Sequence, residues 1–335
     1  MAKLVKLLIT GATGFIGRNL LLKALAADPW SEIITPVRSP EKLRRSLSQD
    51  GWNVLPANLR IVKCTPESWG DELDCDAVVH CAGALFKRSP EEYHAVNVLG
   101  TLELLKKLPP TAKVVLLSSQ SAGGPTPQGS EFRNEAMPDH PITSYGKSKK
   151  EMERVCLSTF PTRDLIVLRP SMVLGARDQA TLPLFRLAKG RLRPKPGFIS
   201  KRYSFIAVND LCRAVFITLA KDTKTLGERI FYVCNPEPVC DRDLIQCAGV
   251  LLGKNGYIFP VPQEIIRVAA FLIDAIPAFR NAVPSLTRDR VREIWPNRWV
   301  VAGDRFEEAF HFYCSSGLAE SLQDALQWYQ INGYL

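Results

Sequence analysis

A turn with three glycines, lying between a predicted strand and a predicted helix, constrains the fold of this chain most strongly. Leu4–Thr10 predicts a buried strand, and TGATGFIG at 10–17 follows it into a helix with apolar residues at helical spacing. Gly11 permits a sharp bend, Gly14 lets backbone approach a pyrophosphate, and Gly17 allows close packing of the helix on the sheet. The turn therefore predicts a dinucleotide-binding site, with phosphates at the helix N-terminus. The contacts expected here are Gly11, Thr13, Gly14, Phe15, Ile16 and Gly17.

Short β-branched runs alternate with helical patterns through the first two-thirds of the chain. This alternation favours a parallel sheet covered on both faces, which binds ligands beyond the carboxyl ends of its strands. The expected fold is an α/β, Rossmann-type, doubly wound parallel sheet with a smaller, mostly helical C-terminal cap that binds the substrate. We place the dinucleotide-binding domain at 1–170, with 205–235 partly returning to it, and the interleaved cap mainly at 171–335.

Composition limits the class of protein. Of 335 residues, 46% are apolar and 23% charged, which is the balance of a globular chain. Nine cysteines form no Cys-x-x-Cys pair, so we expect reduced thiols, a cytoplasmic location and no metal site. No uninterrupted apolar run is long enough to predict a membrane-spanning helix. The apolar helix predicted at Ile265–Ile273 is interpreted as packing inside the cap, with peripheral membrane contact as the alternative.

Cations follow the second predicted strand, where an acidic residue would hold a ribose 2′-hydroxyl. Arg38 lies 21 positions after Gly17, and Lys42, Arg44 and Arg45 follow it. A guanidinium suits a 2′-phosphate, which a carboxylate would repel. The sequence therefore favours NADP(H) over NAD(H), with Arg38 and Lys42 as contacts. A solvated basic helix is the alternative for Arg44 and Arg45.

Two further segments supply acid–base chemistry. Tyr145 and Lys149 are four residues apart in a predicted helix, so their side chains share one face. A neighbouring ammonium favours a phenolate, which allows a tyrosine to exchange protons near neutral pH. Ser118 and Ser119 end the predicted strand Val114–Leu117 at the ligand-binding edge, where a hydroxyl can bind a substrate oxygen.

Taken together, the motifs resemble the extended short-chain dehydrogenase/reductase superfamily, also described as the NAD(P)-dependent epimerase/dehydratase family. The resemblance runs nearly end to end, and SSQSAGGP at 118–125 is most similar to 3β-hydroxysteroid dehydrogenase-like and dihydroflavonol reductase-like members. The motifs are TGATGFIG (10–17), DAVVHCAG (76–83), NVLGT (97–101), LLSSQSAGGP (116–125), YGKSK (145–149), LRPSMVLG (168–175), FIAVNDLCRAV (205–215) and LQDALQWYQINGYL (322–335).

The resemblance implies a role for each matching position. Ser119 would be the catalytic serine, Tyr145 would exchange the hydroxyl proton, and Lys149 would hold the nicotinamide ribose. Asn97 would support the active-site backbone and a proton-relay water, while His80 would be a packed strand-end residue. The other cofactor contacts that it implies are Cys81, Ala82, Gly83, Pro170 and Ser171.

Some positions depart from the family pattern or leave a choice open. Ser118 and Ser121 are the alternative catalytic serines. Cys64-Thr65 stands where relatives often place an aspartate that holds adenine, which puts that contact in doubt. Ser119-Gln120-Ser121 lacks the Thr-Asp-Glu set of sugar 4,6-dehydratases, which argues against that class.

The expected reaction is hydride transfer between the nicotinamide and a carbonyl or secondary alcohol, as in a ketone reductase or an alcohol dehydrogenase. A nucleotide-sugar epimerase and a non-catalytic NADP(H)-binding regulatory protein are the alternatives. The stretch 179–209 contains seven cations and no acid, which fits an anionic substrate or a solvated loop. The resemblance implies a homodimer formed through helices near 90–108 and 144–159, as relatives commonly form. We expect no nucleic-acid partner. The predicted substrate contacts are Phe86, Gln120, Ser121, Arg193 and Tyr203.

Overall fold

The computed structural model describes residues 5–27, 30–64, 69, 73–85, 87, 89–262, 264–266, 268, 292–293 and 295–335. Its strands are β1 (Val5–Thr10), β2 (Trp30–Val37), β3 (Leu59–Lys63), β4 (Ala77–His80), β5 (Lys113–Leu117), β6 (Leu165–Pro170), β7 (Met172–Leu174), β8 (Leu192–Pro196), β9 (Arg202–Tyr203), β10 (Phe205–Ala207), β11 (Ile230–Val233), β12 (Val239–Cys240), β13 (Tyr257–Val261) and β14 (Arg298–Trp299). Its α-helices are α1 (Phe15–Ala27), α2 (Pro40–Gln49), α3 (Pro90–Tyr93), α4 (Gly100–Lys107), α5 (Ser144–Thr159), α6 (Leu182–Ala188), α7 (Val208–Ala220), α8 (Asp241–Leu251), α9 (Asp304–Phe310) and α10 (Leu318–Ile331).

In the described part of the chain, seven strands form one sheet in the order β11-β6-β5-β4-β1-β2-β3, and every neighbouring pair is parallel. Both faces are buried, as alternate residues of β1 show. Leu7 and Ile9 pack in one apolar core, whereas Leu8 between them packs in another on the opposite face. The order is that of a doubly wound Rossmann sheet extended by β11, so the predicted fold class is confirmed.

The ligand crevice of such a sheet opens where the strand order reverses, here between β1 and β4. The glycine turn leaves β1 at this edge, and Cys81 follows β4. Ser118 and Ser119 follow β5 along the same edge. The topology therefore brings the cofactor turn and the candidate catalytic residues together.

Smaller elements pack beyond the carboxyl edge of the sheet. β8 pairs with β13, β9 pairs with β12 and β14, and α6, α8 and α10 share a third apolar core that includes Phe185 and Tyr329. β11 lies in the main sheet, so the chain returns to that sheet after β10. The domain limits given above remain a prediction. Most of the predicted helix Ile265–Ile273 lies outside the described residues. Among the residues that are described, no helix is long and apolar enough to cross a bilayer.

Candidate active site

The glycine turn has the geometry that its sequence predicts. Gly11 has a φ of +71°, and a Cβ added there would lie 2.8 Å from the Ala82 nitrogen. A Cβ on Gly17 would lie 2.3 Å from the Gly11 carbonyl oxygen, so α1 packs directly on the turn. On Gly14 a Cβ would meet only that oxygen, at 3.3 Å. The turn needs glycine at position 11 and the helix needs glycine at position 17. The open space above Gly14 suits an approaching phosphate.

A cavity of about 630 Å³ opens above this turn, within the size range of ligand pockets. The candidate acid–base pair Tyr145 and Lys149 reaches the same cavity. Ala82, by contrast, turns its backbone N–H toward Thr10 Oγ1 at 3.0 Å and is not among the lining residues. The predicted cofactor contacts that line the cavity are Gly11, Thr13, Gly14, Phe15, Ile16, Gly17, Lys42, Cys81, Gly83, Tyr145 and Lys149.

The charged wall of the cofactor cavity differs in part from the prediction. Lys42 and Arg45 line the cavity, whereas Arg38 is exposed at the end of β2 and does not. Ser39 caps α2 and accepts a hydrogen bond from the Lys42 nitrogen, which fixes the start of this basic helix. The cations that line the cavity therefore come from α2 (Lys42 and Arg45) and also from outside it, as Arg18, Lys149 and Arg177.

A second cavity of about 510 Å³ adjoins the first and is lined by the predicted substrate contacts Gln120, Ser121 and Tyr203. Pro170 and Ser171, predicted to flank the nicotinamide, also line this second cavity. Ser119 lines only the second cavity and Ser118 lines both. The residues common to both are Phe15, Ile16, Leu85, Ser118, Tyr145, Asp178 and Ala180. Tyr145 thus lies at the boundary between the two cavities, which we name the cofactor half and the substrate half after the contacts predicted for each.

Lys149 is buried beneath this boundary. Its ammonium donates a hydrogen bond to the Leu117 carbonyl oxygen at 2.8 Å. Burial lowers the pKa of Lys149 to about 8, although the charge of Glu153 acts in the opposite direction. A Cβ on Gly83 would lie 3.3 Å from Lys149 Nζ, so glycine makes room for the ammonium beside the cofactor cavity.

Asn97 lies in a π-helical turn, His94–Leu99, that connects α3 to α4. Its Oδ1 accepts from the Ala84 nitrogen at 2.7 Å, and its Nδ2 donates to the Ala84 carbonyl oxygen at 3.2 Å. Nδ2 also donates to Ser148 Oγ at 2.9 Å. The side chain therefore binds the backbone after β4 to helix α5, which carries Tyr145 and Lys149. Such wide turns occur frequently at functional sites.

His80 is buried in a chain of hydrogen bonds and does not line either cavity. Thr101 donates its hydroxyl proton to the Asn97 carbonyl oxygen, so it accepts from His80 Nε2 at 2.9 Å. Thr10 Oγ1 accepts from the backbone of Cys81 at 3.1 Å, and its own proton faces His80 Nδ1 at 2.8 Å. Burial lowers the pKa of His80 to about 3. The ring is a neutral structural link between β1, β4 and α4.

A buried ionic network that the sequence analysis missed lies below the serines. Arg169 is 2% exposed, and its guanidinium binds Glu153 at 2.5 Å and Asp139 at 2.8 Å. It also donates to the Tyr232 hydroxyl at 3.1 Å. Ser118 Oγ donates to Glu153 Oε1, which occupies this hydroxyl. Ser119 and Ser121 line the second cavity and not the first, and the Ser121 hydroxyl donates to Glu293. A signal was available, because Glu153 is four residues after Lys149 on the same helix face.

Glu293 is a second residue that the sequence analysis missed. It lines the substrate half, and its Oε1 accepts a hydrogen bond from Ser121 Oγ at 3.1 Å. Glu293 and Asp178 are carboxylates, and no lysine or arginine is found among the described residues that line this half. No local pattern marks Glu293, because it is 172 positions from Ser121.

Two buried polar atoms in the substrate half have no hydrogen-bond partner within the described residues. They are Gln120 Oε1 and Ser171 Oγ. Buried polar groups are ordinarily paired, so these atoms fit a ligand that supplies the missing partners.

A cluster around Asp50 closes the outer end of the cofactor half. The Asp50 carboxylate binds Arg18 at 2.6 Å and Arg177 at 2.7 Å. Arg177 has a φ of +76° and also donates to Asn19 Oδ1 at 3.1 Å. The carboxylate therefore ties the end of α2 to α1 and to the loop after β7. Nothing in the local sequence around Asp50 signals this contact.

Two predicted substrate contacts are not brought to the site. Arg193 is 2% exposed and lines neither cavity, because its guanidinium donates to the backbone carbonyls of Ala188, Gly190 and Lys254. Its expected contact with an anionic substrate is therefore not supported. Phe86 lies outside the described residues.

Comparisons with known proteins agree with the fold and the motifs. The sequence profile described as the NAD dependent epimerase/dehydratase family matches residues 7–234. The ceramide reductase of Caulobacter vibrioides is 25% identical over 98% of this chain and 95% of its own. A decarboxylating sterol-4-alpha-carboxylate 3-dehydrogenase of Saccharomyces cerevisiae is 24% identical over 98% of this chain and 99% of its own. The fold is that of the Bacillus anthracis dTDP-glucose 4,6-dehydratase solved with NAD, at a TM-score of 0.74, 20% identity and 98% of each chain.

Proposed function

Because the chain belongs to the NAD dependent epimerase/dehydratase family, we propose that it is an NADP(H)-dependent ketone reductase or alcohol dehydrogenase. Membership confirms the resemblance to the extended short-chain dehydrogenase/reductase superfamily, so the chain is an enzyme of that superfamily with an NAD(P)-type Rossmann sheet. The proposal concerns the cofactor, the net reaction and the residues that perform it.

The position of Tyr145 at the boundary of the two cavities carries the proposal. A bound nicotinamide cofactor supplies or accepts the hydride. In the reducing direction Tyr145 gives its hydroxyl proton to the substrate oxygen, which the Ser119 hydroxyl binds, and in the oxidising direction Tyr145 takes that proton back. Lys149, buried beside the cofactor half, provides a positive charge that favours the phenolate form.

The cofactor preference rests on cations in α2. Lys42 and Arg45 line the cofactor half, and Arg38 stands exposed at the head of the same helix. We expect Lys42→Ala with Arg45→Ala to weaken NADPH binding about 10- to 100-fold and to leave NADH binding unchanged, because only the 2′-phosphate is lost as a partner. Arg44→Ala is the matched control, since Arg44 is exposed on α2 and does not line the cavity. Equal losses for both cofactors would contradict NADP(H) preference.

The lining of the substrate half supports an uncharged, largely apolar substrate over a nucleotide sugar. Its described walls include Leu85, Met172 and Trp299 and, as stated, no cation that would bind a diphosphate. The acceptor oxygens of Glu293 and Gln120 fit hydroxyl or amide N–H groups of a ligand. This lining favours net reduction or oxidation of an apolar alcohol or ketone, with epimerisation as the alternative.

NADPH oxidation measured with a carbonyl panel tests the proposal. The panel contains apolar ketones with and without a neighbouring hydroxyl, beside UDP-glucose and UDP-galactose, whose interconversion is followed separately. Tyr145→Phe should lower kcat about 10²- to 10⁴-fold and leave the Kd for NADPH unchanged. Tyr313→Phe, at a 69% exposed tyrosine, should match the parent. Interconversion of the UDP-sugars without net NADPH oxidation would establish the epimerase instead.

A further inference from the structure

The strand pair β8–β13 carries an apolar face that is exposed at its first residue pair and half-buried along the rest. In a parallel pair, side chains of partnered residues project to the same side and alternate along each strand. Leu192 and Tyr257 are partners, and they are 68% and 70% exposed. The other residues of this side are apolar as well. The apolar cap face consists of Leu192, Pro194, Pro196, Tyr257, Phe259 and Val261.

The opposite side of β8 carries two buried cations, so the usual arrangement of a surface sheet is inverted. Arg193 is 2% exposed and donates to the carbonyl oxygens of Ala188 at 2.7 Å and Lys254 at 2.8 Å. Gly249 and Gly256 make room for it, since a Cβ would lie 2.2 Å from Nη1 or 2.4 Å from Nε. The guanidinium therefore fixes the strand with its cationic side inward.

Lys195 anchors the other end of β8. It is 1% exposed, and its ammonium binds Asp241 Oδ2 at 2.9 Å and the Ile199 carbonyl oxygen at 3.0 Å. Gly197, with a φ of +71°, turns the chain immediately after the strand. Phe198 and Ile199 follow, 72% and 63% exposed. This apolar loop is held in place by a buried ion pair and continues the apolar cap face outward.

Exposed cations border the face, whereas the exposed carboxylates nearest in sequence, Asp243 and Glu264, lie outside the two segments that form it. Lys189, Arg191 and Lys254 are exposed at the end where β8 begins, and the Arg191 carbonyl oxygen accepts from the Tyr257 nitrogen at 2.8 Å. Neither 179–209 nor 244–262 contains an aspartate or glutamate. An apolar, aromatic surface with a cationic edge is complementary to a bilayer whose headgroups are anionic.

We propose that the apolar cap face and the Phe198–Ile199 loop dock on an anionic membrane surface. The apolar side chains enter the boundary between headgroups and acyl chains, and Lys189, Arg191 and Lys254 bind the lipid phosphates. This proposal does not depend on the reaction, because the face and its cations lie outside both cavities.

Co-sedimentation of the full chain with phosphatidylcholine vesicles, with and without phosphatidylglycerol, tests this docking. We expect binding to the anionic vesicles that weakens as salt is raised. Phe198→Ser with Ile199→Ser should lower the partition coefficient at least about 10-fold, because two apolar side chains are lost. Lys189→Ala with Arg191→Ala should lower it about 30-fold and reduce the salt dependence.

Val54→Ser is the control, because Val54 is an 85% exposed apolar residue in the loop after α2 and should leave the partition unchanged. Near-ultraviolet circular dichroism checks that each variant is folded. We expect the Phe198 and Ile199 variants to fold, because both side chains are exposed and their replacement leaves no cavity. Absence of binding to anionic vesicles, or binding that neither double variant weakens, would overturn the proposal. Light scattering tests a second candidate occupant of the face. If the protein is a dimer that the double variant Phe198→Ser with Ile199→Ser dissociates, a second copy covers the face and the proposal is overturned.

Discussion

Replacing Lys149 by methionine tests how strongly burial of its ammonium governs stability. Lys149 is 5% exposed, and burial lowers its pKa from the ordinary 10.5 to about 8. Between these values the unfolded chain holds a proton that the folded chain has released, so the free energy of unfolding rises with pH. The stabilisation is complete above the unfolded value and is lost as pH falls through about 8. From about pH 7 to about pH 10 this group raises the free energy of unfolding by about 2.5 kcal/mol.

Other groups titrate over the same interval, so the parent curve alone does not isolate Lys149. Burial raises the pKa of the Cys75 thiol to about 12 and that of Cys81 as well, which makes the folded state less stable as pH rises. Burial lowers the pKa of Lys201 to about 8, which acts in the same direction as Lys149. The contributions of Cys75 and Lys201 are common to the parent and to Lys149→Met, and they cancel in the difference between the two curves. Lys149 lowers the pKa of Cys81, but that thiol stays protonated over this interval in both proteins, so its contribution cancels as well.

Urea unfolding of the cofactor-free protein, followed by tryptophan fluorescence from about pH 7 to about pH 10, measures that difference. Lys149→Met should be more stable than the parent at the lower pH, and the gap should close by about 2.5 kcal/mol toward the upper pH. Lys147→Met, at an exposed lysine of the same helix, should run parallel to the parent. Parallel curves for the parent and Lys149→Met would refute the reasoning.

Further substitutions test the glycine turn and the buried network, each by urea unfolding beside an NADPH-binding measurement. Gly17→Ala should cost about 1–3 kcal/mol because its Cβ would lie 2.3 Å from the Gly11 oxygen. Gly14→Ala should weaken NADPH binding with a smaller loss of stability, and equal destabilisation by the two would contradict this assignment. Arg169→Met should cost about 3–5 kcal/mol because it removes the guanidinium that pairs with the buried Glu153 carboxylate. Adding Glu153→Leu should recover part of that loss, and no recovery would contradict the ionic account.

Local patterns predicted the parts of the site that local geometry creates. The glycine turn and the Tyr145–Lys149 spacing depend on one turn and one helix, and the residues of both line the same cavity. Contacts between distant segments left no such signal. Asp50 meets Arg177 across 127 positions, and Glu293 meets Ser121 across 172, so neither pair has a spacing that could be recognised.

Arg193 shows a different limit of sequence interpretation. Apolar and cationic residues alternate from Leu192 to Pro196, which is the pattern of a strand with two unlike faces, but in the sequence analysis this stretch is interpreted as a basic loop. Periodicity does not determine which face turns inward. Backbone carbonyls and the space left by two glycines bury the guanidinium, and a residue that composition suggested for substrate binding becomes an internal anchor.

The wide turn that carries Asn97 contains one residue that the site uses and that a regular helix would not need. The Gly100 N–H donates to the Ala95 carbonyl oxygen five residues back, so this turn holds one residue more than an α-helical turn would. Deleting one residue between 94 and 99 would restore ordinary helical spacing while α3 and α4 kept their phase. Such a shortened chain would retain the packing of the helix and lose the hydrogen bonds between the Asn97 side chain and the backbone of Ala84. In this segment the number of residues, as much as their identity, distinguishes a chain that holds its active-site backbone from one that only keeps the fold.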